Sequence, residues 1–223
     1  MKMRNILCLI IGILFTVPIQ AKKQVLFQIG EKDGSSSEFA LAPDLYKNFL
    51  LRNSGVKTYY VGYSEVGKDW PYVFPGPLDS WGGGGYWAGY HPRHFPIIQF
   101  ELSQIASKGD CYLTLSFVGI NNKSVSRWRV EVNGIRVEKE FQGKSSDNLL
   151  VGKEPSSPIE WTIKFPVSAL KKGMNKIQLG LVKGNWCMFD QIKIEAPEGC
   201  ITGKASSSLI RSVQAAPFEY ERG

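Results

Sequence analysis

The chain has 223 residues, of which 43% are hydrophobic, 12% aromatic and 21% charged. This length and apolar fraction suit one globular domain with a sizeable core and exclude a wholly disordered chain. The formal charge is +7, but the 27 Lys and Arg residues are not gathered into a run or arm, so composition does not point to nucleic acid.

At the N-terminus, Lys2 and Arg4 precede an apolar run over residues 6–15, and Ala21 offers a small residue before Lys22 and Lys23. The run is too short for a bilayer core of about 30 Å. Residues 1–21 therefore read as a secretory signal peptide. No later segment is long and apolar enough to span a membrane, so the mature protein is expected to be secreted or periplasmic. Cys8 leaves with the signal; Cys111, Cys187 and Cys200 remain, without a C-x-x-C spacing that would suggest zinc. Cys111 reads as a small core residue, and a Cys187–Cys200 bridge is left open.

The body of the chain reads as strands. Short apolar or aromatic runs occupy residues 25–29, 58–62 and 96–102. In 112–118, Leu113, Leu115 and Phe117 share one face. Trp128, Val130 and Val132 alternate with Arg127, Arg129 and Glu131, the period of a half-buried strand. Asn133-Gly134 follows, then Ile135-Arg136-Val137, a hairpin signal because both turn residues favour positive φ. Residues 159–165 and 176–182 alternate as well, and 189–195 forms the last expected strand. Helical signals are few: a short helix over 44–51, after Pro43, and one turn over 167–171. Many strands separated by turn residues predict an all-β sandwich or barrel. The domain is expected over 22–197, with 198–223 a linker or the start of a further element.

Several motifs stand in a recognisable order. Ile29-Gly30, Asp33-Gly34 and Phe39 form an "IGxxDG…F" opening, followed by Tyr59-Tyr60-Val61-Gly62. Near the end come Gly173, Asn175 and Ile177 as "G-x-N-x-I", then Phe189-Asp190 with Ile192, Ile194 and Glu195. This series resembles the C-terminal domain, domain III, of family 4 polysaccharide lyases, the rhamnogalacturonan lyases. The resemblance implies a jelly-roll β-sandwich of carbohydrate-binding-module type. In those lyases the domain follows a catalytic β-sandwich and a small fibronectin-like domain, neither of which has a counterpart here. No catalytic residue is carried over to any position. The run Gly82-Gly83-Gly84-Gly85 also has no counterpart in the family pattern.

Residues 81–94 hold two Trp, two Tyr, both His and an Arg. Aromatic side chains suit the apolar faces of sugar rings, and an Arg fork suits a carboxylate such as that of a uronate. Trp81, Tyr86, Trp87, Tyr90, His91 and Arg93 are therefore candidate carbohydrate-binding residues. The alternative is that the aromatics plug one end of the sandwich and the glycines only make the turn. His91 and His94 read as packed or surface histidines rather than metal ligands. Asp33, Glu38 and Asp190 are candidate ligands of a structural calcium, against the alternative that Asp33-Gly34 is only a turn. No G-x-S-x-G elbow or assignable carboxylate pair supports hydrolysis.

Three readings follow. The first is a secreted, noncatalytic module that concentrates an attached or partner enzyme on plant pectin-like polysaccharide. The second is a small lyase or glycosidase acting through the 81–94 loop. The third is a structural domain of a larger enzyme.

Overall fold

The computed structural model describes residues 22–53, 57–89 and 94–203. The expected signal peptide lies outside these residues. Among the described residues, eleven strands run in chain order: β1 (Lys23–Ile29), β2 (Thr58–Tyr60), β3 (Val73–Phe74), β4 (Ile97–Gln104), β5 (Asp110–Ile120), β6 (Ser126–Val132), β7 (Ile135–Phe141), β8 (Ile159–Pro166), β9 (Gly173–Lys183), β10 (Cys187–Pro197) and β11 (Ile201–Thr202). One sheet has the order β1-β10-β5-β8, with β3 paired to the start of β10. The other has the order β11-β4-β9-β6-β7, with β2 added to β4. Every pairing is antiparallel except β2 on β4. The result is a jelly-roll β-sandwich.

Period-two patterning produces the core. Trp128, Val130 and Val132 of β6 point inward and are at most 3% exposed. They face Leu113, Leu115 and Phe117 of β5, all fully buried. Phe117, Trp128 and Phe189 pack mutually with ring centroids 5.3–5.7 Å apart. Trp128 Nε1–H donates to Cys187 Sγ at 3.1 Å, which satisfies the one polar atom of that buried ring. The expected hairpin forms at Asn133 (φ 46°) and Gly134 (φ 97°), closing Val132 against Ile135.

The expected helix over 44–51 is broken in two. A 3-10 turn spans Leu45–Asn48 and a short helix, α1, spans Phe49–Asn53. Leu45 and Leu51 are 50% and 81% exposed while Phe49 is fully buried, so Phe49, with the partly buried Tyr46, anchors the segment. A single turn of helix, α2, lies at Val66–Asp69. The sequence reading missed β3 and β11, which are two residues each and carry no alternation to read. Part of the segment read as a linker is thus a strand, Ile201–Thr202, on the edge of β4. Among the described residues, no helix is long and apolar enough to cross a membrane.

Cys111, Cys187 and Cys200 are buried free thiols. A Cys187–Cys200 bridge is excluded by geometry. Cys187 opens β10 and Cys200 lies beyond its far end, so the intervening 11-residue strand separates them by about 33 Å at about 3.3 Å per residue. A disulfide needs Cα atoms within about 7 Å.

Candidate functional site

The connection from β3 to β4 carries the aromatic segment. Its shape is set by Asp79, a 7% exposed carboxylate. Asp79 Oδ2 accepts from Gly76 N–H at 2.9 Å and Oδ1 from Asn185 Nδ2 at 3.1 Å. The Asp79 carbonyl accepts from Gly82 and Gly84 N–H. Burial pushes the Asp79 carboxyl up to about 6 despite these donors. Sequence reading passed over Asp79; the signal available was an Asx residue placed in a Pro-Gly-Pro turn ahead of a glycine run.

The four glycines are required for two different reasons. A Cβ on Gly82 would lie 2.2 Å from Pro75, and one on Gly84 would lie 2.5 Å from the Pro77 carbonyl oxygen. Gly83 and Gly85 instead adopt φ of 79° and 97°, where side chains are strained. His94 closes the loop from the far side. Its Nε2 lies 2.8 Å from the Gly82 carbonyl oxygen, so Nε2–H is the donor, and its ring packs edge-on to Phe49 at 4.8 Å. Burial lowers the His94 pKa. His94 is therefore a neutral strut in the loop.

This framework divides the six candidate carbohydrate-binding residues. Trp81 is half-buried and packs edge-on to Tyr46 at 5.1 Å and Phe49 at 6.1 Å. Its geometry is that of the plug. Tyr86 and Trp87 stand out from the surface at 74% and 96% exposure, as a T-shaped pair with centroids 5.5 Å apart. Tyr90, His91 and Arg93 lie outside the described residues. Trp87 is singular by its environment: Trp70, Trp128, Trp161 and Trp186 are all at most 5% exposed. Full exposure of the largest apolar side chain loses its transfer free energy unless something covers it.

The three candidate calcium ligands do not assemble. Asp190 is buried, and its Oδ1 accepts from Asp33 N–H at 3.2 Å and Gly34 N–H at 3.0 Å. Glu38 Oε1 accepts from Glu31 N–H, and Asp33 Oδ1 from Ser35 N–H, both at 2.9 Å. Asp33 and Glu38 line an open surface hollow that Asp190 does not line. Among the described residues, no group of three His, Cys, Asp or Glu side chains could hold a metal ion. In this structure backbone amides of the turn hold the three carboxylates, the arrangement of the alternative reading.

A two-sheet jelly roll carrying an exposed aromatic pair on a braced loop belongs, as a class, with carbohydrate-binding-module-like sandwiches. The chain belongs to the family described as CBM-like, polysaccharide lyase family 4, domain III, which matches residues 25–194. Solved structures are similar over part of the chain. A family 35 carbohydrate-binding module from an environmental isolate has 18% identity and a TM-score of 0.31, covering 48% of this chain and 71% of that one. A family 35 module from Cellvibrio japonicus Abf62 has 12% identity and a TM-score of 0.35, covering 66% and 88%. An exo-β-1,3-galactanase from Phanerochaete chrysosporium has 18% identity and a TM-score of 0.29, covering 45% of this chain and 20% of that chain. No curated protein matches the chain.

Proposed function

We propose that this protein is a secreted, noncatalytic carbohydrate-binding module that holds a polysaccharide-degrading enzyme, attached or associated, on pectin-like glycans. The observation that carries the reading is Trp87, 96% exposed beside Tyr86 at the tip of a braced loop. Sugar rings offer C–H faces that such rings can cover, each aromatic burying about 150–250 Å² when fully covered. Without Lys2 and Arg4 of the signal segment the 27 basic and 20 acidic residues become 25 and 20, and the remaining formal charge of +5 suits an acidic polymer in the second place. Family membership supports the accessory role, since the family is defined on a domain other than the catalytic one.

Affinity electrophoresis in gels containing rhamnogalacturonan tests the reading. Migration should be retarded, and Trp87→Ala should weaken retention at least tenfold, about 1.4 kcal/mol or more. Because Trp87 touches little of the fold, its melting temperature should stay at the wild-type value. Unretarded migration on a panel of acidic and neutral polysaccharides would leave the structural role standing instead. Release of unsaturated, ultraviolet-absorbing ends from pectic substrate would replace the noncatalytic reading with a lyase.

A further inference from the structure

The outer face of the second sheet carries a feature that the aromatic loop does not account for. Register places Gln178 of β9 beside Glu131 of β6, and Glu131 beside Arg136 of β7. One row away, Gly180 lies beside Arg129, and Arg129 beside Glu138. Phe95 lies over Gly180: a Cβ there would sit 2.4 Å from two of its ring carbons. Gly180 is thus the gap that lets an aromatic ring rest on the sheet. The Arg129 guanidinium is 6.0 Å from the centre of that ring. Phe95, Arg129, Glu131, Arg136 and Gln178 line a half-open surface hollow of about 210 Å³.

We propose that this hollow is a second glycan subsite, and that it takes one neutral sugar ring. The proposal rests on the glycan-binding reading above and adds a position and a sugar class to it. The volume lies below the roughly 300–1,000 Å³ of pockets that enclose drug-sized ligands, which suits a single ring. The wall is chemically suited: one aromatic ring for C–H contact, an amide, a carboxylate and guanidinium groups for hydroxyls. The charge pattern selects against an acidic sugar. Arg129 Nε donates to Glu138 Oε1 at 2.7 Å, and Arg136 Nε and Nη2 donate to Glu131 Oε2 at 3.3 and 3.1 Å. Each cation is already balanced by its own anion, so a uronate would bring a second negative charge up to Glu131 with no unbalanced cation to offset it. A neutral hydroxyl needs only the N–H donors these pairs leave, since each guanidinium carries five and they engage one on Arg129 and two on Arg136. Four of the five residues stand on or beside paired strands, which holds their spacing without a loop.

The test is a ¹H–¹⁵N titration of the protein with methyl β-galactoside, methyl β-glucoside, methyl α-rhamnoside and sodium galacturonate, each to about 100 mM, the range in which weak single-ring contacts register. At least one neutral glycoside should shift the Gln178 side-chain amide and the Gly180 and Glu131 backbone amides saturably. Galacturonate should act at least tenfold more weakly. Gln178→Ala and, as an exposed second variant, Arg136→Gln should abolish the shifts, while Trp87→Ala should leave them in place. Absence of shifts with every neutral glycoside overturns the subsite, and an equal or stronger response to galacturonate overturns the neutral class. Loss of the shifts in Trp87→Ala would merge this hollow with the loop site and overturn a separate subsite. Shifts at Gln178 in a protein that polysaccharide gels do not retard would count against the loop reading alone.

Discussion

Asp79, which holds the aromatic loop, makes the stability of the fold depend on pH. Its folded pKa, about 6, lies above the ordinary carboxylate value of 3.8, so the folded state holds the proton more tightly than the unfolded chain. That contribution to stability is complete below about pH 4 and is lost as pH rises through about 6. Asp190 is also raised by burial and acts with the same sign. His94, lowered by burial, acts with the opposite sign, its contribution fading as pH falls below the ordinary histidine value. Melting of the wild type against Asp79→Asn isolates the first group. The wild type should lose at least about 2–4 °C relative to the variant between pH 4 and 6.5, the shift expected per kcal/mol for a chain of this size. Parallel melting curves would show that Asp79 does not titrate in that window. The signature residues read from the sequence have a structural meaning at this same scale. A Cβ on Gly30 would lie 2.3 Å from Phe39 and 2.5 Å from the Asp190 carbonyl oxygen, and Asp190 holds the Asp33-Gly34 turn. The opening and closing motifs of the series are thus a staple between the end of β1 and β10, and they say little about which surface meets a ligand.

Among the elements, the β6–β7 hairpin was the most legible, because alternation and an Asn-Gly turn agree on one answer. What the sequence did not reveal is how much Asn133 does beyond turning. Its Nδ2 donates to the Ala169 carbonyl and to Asn175 Oδ1, both at 2.8 Å, and its Oδ1 accepts from Lys176 N–H at 2.9 Å. Asn175, fully buried, in turn caps Lys171 and Gly173. Asn133→Ala should therefore cost about 2–4 kcal/mol, from three lost hydrogen bonds and the strain of an alanine at φ 46°. Gly134→Ala, with nothing within 4 Å of the added Cβ, should cost about 1 kcal/mol of backbone strain. Urea denaturation of both variants checks the order; equal losses would mean that the turn conformation alone matters. Along the same hairpin, Arg127, Arg129 and Glu131 stand directly opposite Glu140, Glu138 and Arg136. These exposed pairs give register and protect the β7 edge more than they add stability.

For the molecule as a whole, the sandwich was legible and the placement of its functional groups was not. Period-two alternation separates inside from outside, but it cannot tell a tryptophan that plugs the fold, such as Trp81, from one that leaves it, such as Trp87. Both sit in the same glycine-rich segment, and the difference arises from long-range partners, Tyr46 and Phe49, that reach Trp81 alone. The thiols make a similar point. Cys187 is engaged by Trp128, and burial pushes Cys111 and Cys187 up to about 12, so neither is ionised near neutral pH. Stability should therefore not depend on reductant. Melting with and without dithiothreitol should agree within about 1 °C, whereas loss of a bridge would cost about 2–5 kcal/mol and several degrees.

The four consecutive glycines between Trp81 and Tyr86 have a consequence for the thermodynamics of recognition. Hydrogen bonds from Gly82 and Gly84 N–H to the Asp79 carbonyl and from Gly85 N–H to the Pro77 carbonyl hold a segment whose composition suggests a flexible tether. A mount prepared in advance spares an incoming polymer the ordering cost of folding its own receptor. Calorimetry of the complex should then give a heat-capacity change matching the area covered on two aromatic rings, with no added contribution from loop folding.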